Sequence, residues 1–101
     1  MTPTRSAALP PGQFERIAKA LSDPRRFEIL ELIAAREECP CRLLVDRLPV
    51  AQATVSHHVK ELMVAGLLEE RQEGQAKYYR LRRPALEGYW QEVRRRLRVA
   101  H

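Results

Sequence analysis

Apolar residues recur at helical spacing along most of this chain, and the interruptions fall where helices end. Phe14, Ile17, Ala18 and Leu21 mark a first amphipathic helix starting at Gln13. Ser22-Asp23-Pro24 follows, a capping side chain ahead of a proline whose fixed φ suits a first helical turn. A second helix runs from there to about Arg36, with Phe27, Ile29, Leu30, Leu32 and Ile33 mostly inside. After Glu37-Glu38-Cys39-Pro40, a short third helix over Cys41 to Leu48 turns Leu43, Leu44 and Leu48 inward. Pro49 ends it, because proline has no N–H for the next helical hydrogen bond. A turn of a few residues then leads into a fourth helix, and that spacing is a helix-turn-helix.

The fourth helix carries the clearest segregation in the chain. Val55, Val59, Leu62 and Met63 fall on one side and leave Gln52, Thr54, Ser56, His57 and Lys60 on the other. Those five side chains donate or accept hydrogen bonds and include no carboxylate. Such a face suits the major groove of DNA, where base edges and phosphates are the partners. Ala65-Gly66 stops the helix, glycine being the residue that enters a left-handed C-terminal cap without strain.

Two strand-like runs come next, Leu67 to Gln72 and Ala76 to Leu81, around a turn at Glu73-Gly74. A hairpin placed directly after such a helix is a wing, and Arg71 and Lys77 on it suit phosphate or minor-groove contacts. Pro84 opens a last helix with a stripe of Leu86, Tyr89, Trp90, Val93 and Leu97. The rest of the chain offers that stripe little to cover, so it is expected to pair with its copy in a second subunit.

Composition narrows the class. The 101 residues suffice for one domain with a modest core, 45% hydrophobic and 31% charged, in the range of globular proteins. The Pro-rich stretch over residues 1–12 reads as a flexible arm, and residues 13–101 as the folded domain. Apolar runs are too short for a membrane span, and the first residues lack a signal-peptide core, so a cytoplasmic location is expected. Net charge is +5, which favours a polyanionic partner. No nucleophile–base grouping or cofactor loop appears, which argues against an enzyme.

The two cysteines, Cys39 and Cys41, stand one residue apart. A disulfide between them would close almost no loop, so they are read as thiols. Two neighbouring thiols at a helix N-terminus favour thiolates, and thiolates suit soft ions or electrophiles. His57 and His58 splay by about 100° on a helix and do not chelate one ion together.

The segments A-L-S-D-P-R-R-F-E-I-L-E-L-I (20–33), E-C-P-C-R-L-L (38–44), Q-A-T-V-S-H-H-V-K-E-L-M-V-A-G-L (52–67) and E-G-Q-A-K-Y-Y-R-L (73–81) together resemble the ArsR family of winged helix-turn-helix repressors. The resemblance covers about residues 14–97. It implies a mainly α fold with a small β-hairpin wing, dimeric through its first and last helices, acting as a repressor on a palindromic operator. Phe14, Ile17, Leu86, Tyr89, Trp90, Val93 and Leu97 would form the dimer interface. Gln52, Thr54, Ser56, His57, Lys60, Arg71 and Lys77 would contact DNA.

The family's inducer is often a soft metal or metalloid, which makes Cys39 and Cys41 candidate ligands for As(III), Cd or Zn. Here the chain departs from the pattern. The third cysteine of the arsenic-type set is replaced by Leu44, the arm has no cysteine for the cadmium–lead set, and Glu87, Glu92 and His101 do not reproduce the zinc spacing of the last helix. Redox or electrophile sensing by the same cysteines, and inert cysteines, stay open beside metal sensing. So does a protein-interaction adaptor without an inducer. Ala51 also stands where the family has a serine cap, and Pro49 where its turn has glycine.

Overall fold

A computed structural model describes residues 9–99. Their elements run α1 (Gln13–Leu21), α2 (Pro24–Ala34), β1 (Cys39–Pro40), α3 (Cys41–Arg47), α4 (Gln52–Val64), β2 (Leu68–Glu73), β3 (Ala76–Leu81) and α5 (Arg83–Leu97). The architecture is a winged helix-turn-helix: α3 and α4 form the helix-turn-helix, and β2 and β3 the wing.

Local chemistry accounts for the boundaries. The Asp23 carboxylate accepts the N–H groups of Arg25 at 2.8 Å and Arg26 at 3.2 Å, satisfying two donors that open α2. Those amides hold the Asp23 carboxyl below its usual range. Ahead of Pro49 the chain leaves α3 at Leu48, whose backbone is extended with φ −102° and ψ 137°. At the end of α4, Gly66 takes φ +81°, and the Leu67 and Gly66 N–H groups donate to the Leu62 and Met63 carbonyls at 3.0 and 2.9 Å. This paired arrangement is the Schellman cap.

Ile17, Ile29, Ile33, Leu44, Val55, Leu62 and Leu67 are wholly enclosed where the first four helices meet the base of the wing. Each such aliphatic side chain contributes about 1.5–3 kcal/mol through removal from water. Phe27 departs from the expected inward set: it is 45% exposed, beside Leu86 and Trp90 on an apolar groove.

The sheet has three strands, in the order β1-β3-β2, all antiparallel, and not the two of a simple hairpin. Cys39 pairs with Tyr79 and Pro40 with Tyr78, so the segment before α3 is fastened to the wing. In the hairpin itself Leu68 faces Leu81 and Glu73 faces Ala76, one residue later on β2 than the sequence suggested.

The last helix lies on its own core through Ala85 and Gly88, both buried, while Trp90 and Leu97 stay 50% and 69% exposed. Ile17 requires a correction. It is fully enclosed by its own chain and has no surface to offer a second subunit, because it lies on the side of α1 that faces the core. The expected arm falls largely on residues outside those described. Of its remainder, Leu9 packs against the core, and the Pro10 carbonyl accepts the Gln13 N–H at 3.1 Å.

Candidate nucleic-acid interface

Val55, Val59 and Leu62 anchor α4 in the core, and that fixes what its opposite side presents. Gln52, Thr54, Ser56, His57 and Lys60 are all exposed, as the helical period requires. His57 and His58 diverge, their ring centroids 6.0 Å apart, and the more enclosed His58 has an Nδ1 without a hydrogen-bond partner. Ala51 is the N-cap residue, and no side chain bonds the free amides behind it. The opening turn of α4 therefore has donors to spare for an anion.

Gln52 and Ser56 form one wall of an open cleft of about 740 Å³. The wing supplies the opposite wall with Lys77 and Tyr78, and the start of α3 closes the end with Cys41 and Arg42. Arg42 was not singled out from sequence. On a seven-residue helix it reads as an ordinary solvated arginine, and only the approach of α3 to the wing brings it to this cleft.

Arg71 has a different environment from Lys77. Its guanidinium meets the Glu38 carboxylate through Nε at 2.8 Å and Nη2 at 2.9 Å, and Glu73 through Nη1 at 2.9 Å. It also lies over the Tyr78 ring, 4.5 Å from the centroid. Arg71 holds Glu38 below the usual glutamate range, and Arg80 stands 4.0 Å from the same carboxylate. A guanidinium so engaged has fewer donors left for phosphate than sequence alone suggests.

The two thiols occupy unlike places. Cys39 is fully enclosed in the core, with its Sγ 3.6 Å from the Pro40 carbonyl oxygen, and burial pushes its pKa up. This corrects the expectation of a favoured thiolate at Cys39: desolvation opposes the charge. Cys41 is partly exposed on the cleft, against Tyr79, whose hydroxyl is driven above its ordinary range by burial first and by Cys41 second. Leu44, at the position of a third thiol, is a wholly buried core residue. Among the described residues no group of three or more His, Cys, Asp or Glu could hold a metal ion. Among the described residues of one chain, Cys39 and Cys41 are two thiols without the third donor that a closed thiolate site for As(III), Cd or Zn would need. Glu92 is engaged by Arg95 and Arg96, and His101 lies outside the described residues.

Away from the cleft, Phe14 of α1 stacks on Tyr89 of α5 with ring centroids 5.0 Å apart, and the Arg96 guanidinium lies 3.9 Å over the Phe14 ring. Leu86 and Val93 are half-buried, and Trp90 and Leu97 stand outward.

A family model described as a helix-turn-helix domain matches residues 21–71. The arsenical resistance operon repressor of Staphylococcus xylosus is 41% identical over 69 residues, 68% of this chain and 65% of that repressor, a little under two thirds of its length. The arsenical resistance operon repressor of Staphylococcus aureus is 36% identical over 81 residues, 80% of this chain and 77% of its own. The chain belongs to the ArsR family. Among solved structures, this ArsR-family chain is similar to a homodimeric winged helix-turn-helix DNA-binding domain from Mycobacterium bovis, described as a possible ArsR-family regulator. The TM-score is 0.66 at 30% identity, covering 88% of this chain and 86% of that one. Among the described residues no helix is long and apolar enough to cross a membrane.

Proposed function

We propose that this ArsR-family regulator is a sequence-specific repressor that binds a palindromic operator as a homodimer. The observation that carries the reading is the cleft: Gln52 and Ser56 of α4, Arg42 of α3 and Lys77 of the wing open onto one surface. Gln52, Thr54, Ser56 and His57 read base edges. Lys60, Lys77 and Arg42 take phosphates, with the uncapped amides at the start of α4 beside them. Dimerisation runs through Phe14, Leu86, Tyr89, Trp90, Val93 and Leu97, in keeping with the homodimeric state given for the M. bovis domain. An adaptor function without DNA is disfavoured by the absence of carboxylates over residues 52–60, the opening part of α4.

The names of the staphylococcal relatives bring a thiol-directed effector into consideration. The placement of the cysteines favours one form of it, an electrophile or oxidant acting at Cys41. That thiol opens on the cleft, where an adduct would occupy space the DNA needs, whereas Cys39 is sealed.

Fluorescence anisotropy with DNA from upstream of the chain's own gene, across a salt series, tests the reading. Ser56→Ala and His57→Ala should lower affinity and relax sequence choice. Lys60→Ala should weaken all sequences alike and reduce the salt slope by about one. Equal loss of specificity from Lys60→Ala and Ser56→Ala would refute this division of roles.

A further inference from the structure

The C-terminal end of α4 is held by a residue of α1. At the Schellman cap three successive carbonyls, of Ala65, Gly66 and Leu67, leave the helix, and each has a partner from elsewhere in the chain. The Ala65 oxygen accepts from Gln13 Nε2 at 3.0 Å, across 52 residues of sequence. The Gly66 oxygen accepts from Arg82 Nη1 at 3.4 Å, and the Leu67 oxygen from the Arg82 N–H at 2.8 Å. Gln13 is a buried polar residue, 9% exposed. The fit is close, since a Cβ placed on Gly66 would overlap the Gln13 amide nitrogen. Glycine suits the position for its positive φ, and a side chain there would push the Gln13 amide aside.

The neighbour of Gln13 has the other half of the connection. Phe14 stacks on Tyr89 of α5 beneath Arg96, within the surface assigned above to the dimer. Consecutive residues of one helical turn therefore touch the end of the DNA-reading helix and the helix that meets the second subunit. An apolar side chain at residue 13 would fill the space but could not donate to the Ala65 carbonyl.

We propose that Gln13 is a positioning residue: its bond to Ala65 sets the tilt of α4 relative to the dimer axis, and so fixes the half-site spacing the dimer accepts. A two-fold protein reads two half-sites only when its recognition helices present themselves at matching separation. Gln13 touches no DNA, and its contribution lies in that separation. The inference rests on the dimeric operator reading above.

The test compares wild type with Gln13→Met, similar in size but without a donor, and with Gln13→Glu. The probes are a palindrome selected from random DNA, a duplex with one half-site, and palindromes with one base pair added or removed at the centre. Sedimentation monitors the dimer. For Gln13→Met, half-site affinity should stay within about twofold, while palindrome affinity falls about tenfold and discrimination between spacings collapses. Gln13→Glu should behave likewise at pH 8. Acidification should restore its palindrome-to-half-site ratio relative to wild type, because a protonated carboxyl can again donate to Ala65.

Parallel loss of half-site and palindrome binding by Gln13→Met would overturn the proposal and leave a plain structural role. Unchanged spacing preference would overturn it too. Should Gln13→Met not fold, a Gln13→Glu ratio that ignores pH rejects the idea by itself. If wild-type protein binds DNA but prefers no palindrome over a half-site, the dimeric operator reading fails first, and this inference with it.

Discussion

The Arg71 guanidinium and the Glu38 carboxylate face each other through two bonds, 2.8 and 2.9 Å long, across 33 residues of sequence. The pair ties the outer strand of the wing to the residue just before β1. It also turns the role of Arg71 into a measurable question. If Arg71 serves the wing, Glu38→Ala and Arg71→Ala should weaken DNA binding to a similar, small extent, and the double variant should add nothing. A salt slope lowered by about one in Arg71→Ala, with Glu38→Ala neutral, would instead put Arg71 on a phosphate.

Ala51 leaves the first amides of α4 without a side-chain acceptor. Ala51→Ser should stabilise the protein by about 1 kcal/mol. For a domain of this size that corresponds to a rise in melting temperature of roughly 4–8 °C, readable by circular dichroism. No rise would mean that the backbone at residue 51 cannot turn a hydroxyl onto those amides.

Cysteine reactivity should separate cleanly. Iodoacetamide on the native, reduced protein should give a single adduct at Cys41, and a second at Cys39 only after unfolding, as read by peptide mass spectrometry. Operator DNA should protect Cys41, and prior alkylation should block binding. Rapid native labelling at Cys39 would show that β1 leaves β3 readily.

Glu92 is held down at about 2 by hydrogen bonds from Arg95 and Arg96. A carboxylate depressed in the folded state adds stability that is complete above its unfolded value, about 4.3, and is lost as pH falls toward the folded one. Since Arg96 also covers Phe14 and lies 3.8 Å from Glu15, acidification from pH 5 to pH 2 should loosen α5 from α1. Trp90, the single tryptophan, lies on α5 and reports the change by its emission. Glu92→Gln should remove the part of the transition that belongs to this group. An identical acid titration in that variant would assign the change to other carboxylates.

What the sequence revealed follows from which signals are periodic. Five helices, their caps at Asp23 and Gly66, and the outward set on α4 all rest on local spacing, and the structure keeps them. β1 was invisible because two residues, one of them proline, carry no alternation. The inner contact of α5 was missed because Ala85 and Gly88 work by being small, which leaves no apolar signal. Ile17 shared a stripe with Phe14, and a stripe on a nine-residue helix does not tell which edge meets its own core. Gln13, Arg42 and Glu38 gain their partners only through tertiary approach.

The small sheet has one more consequence, for how copies of this chain meet. Its two free edges are poor templates for an added strand. One is only Cys39–Pro40, where proline lacks the N–H that a newcomer would need, and the other presents Glu69, Glu70, Arg71, Gln72 and Glu73 in succession. Accretion of strands into fibres is thereby discouraged at both ends. Self-association is left to the helical side of the molecule, where contact can close into a pair and stop.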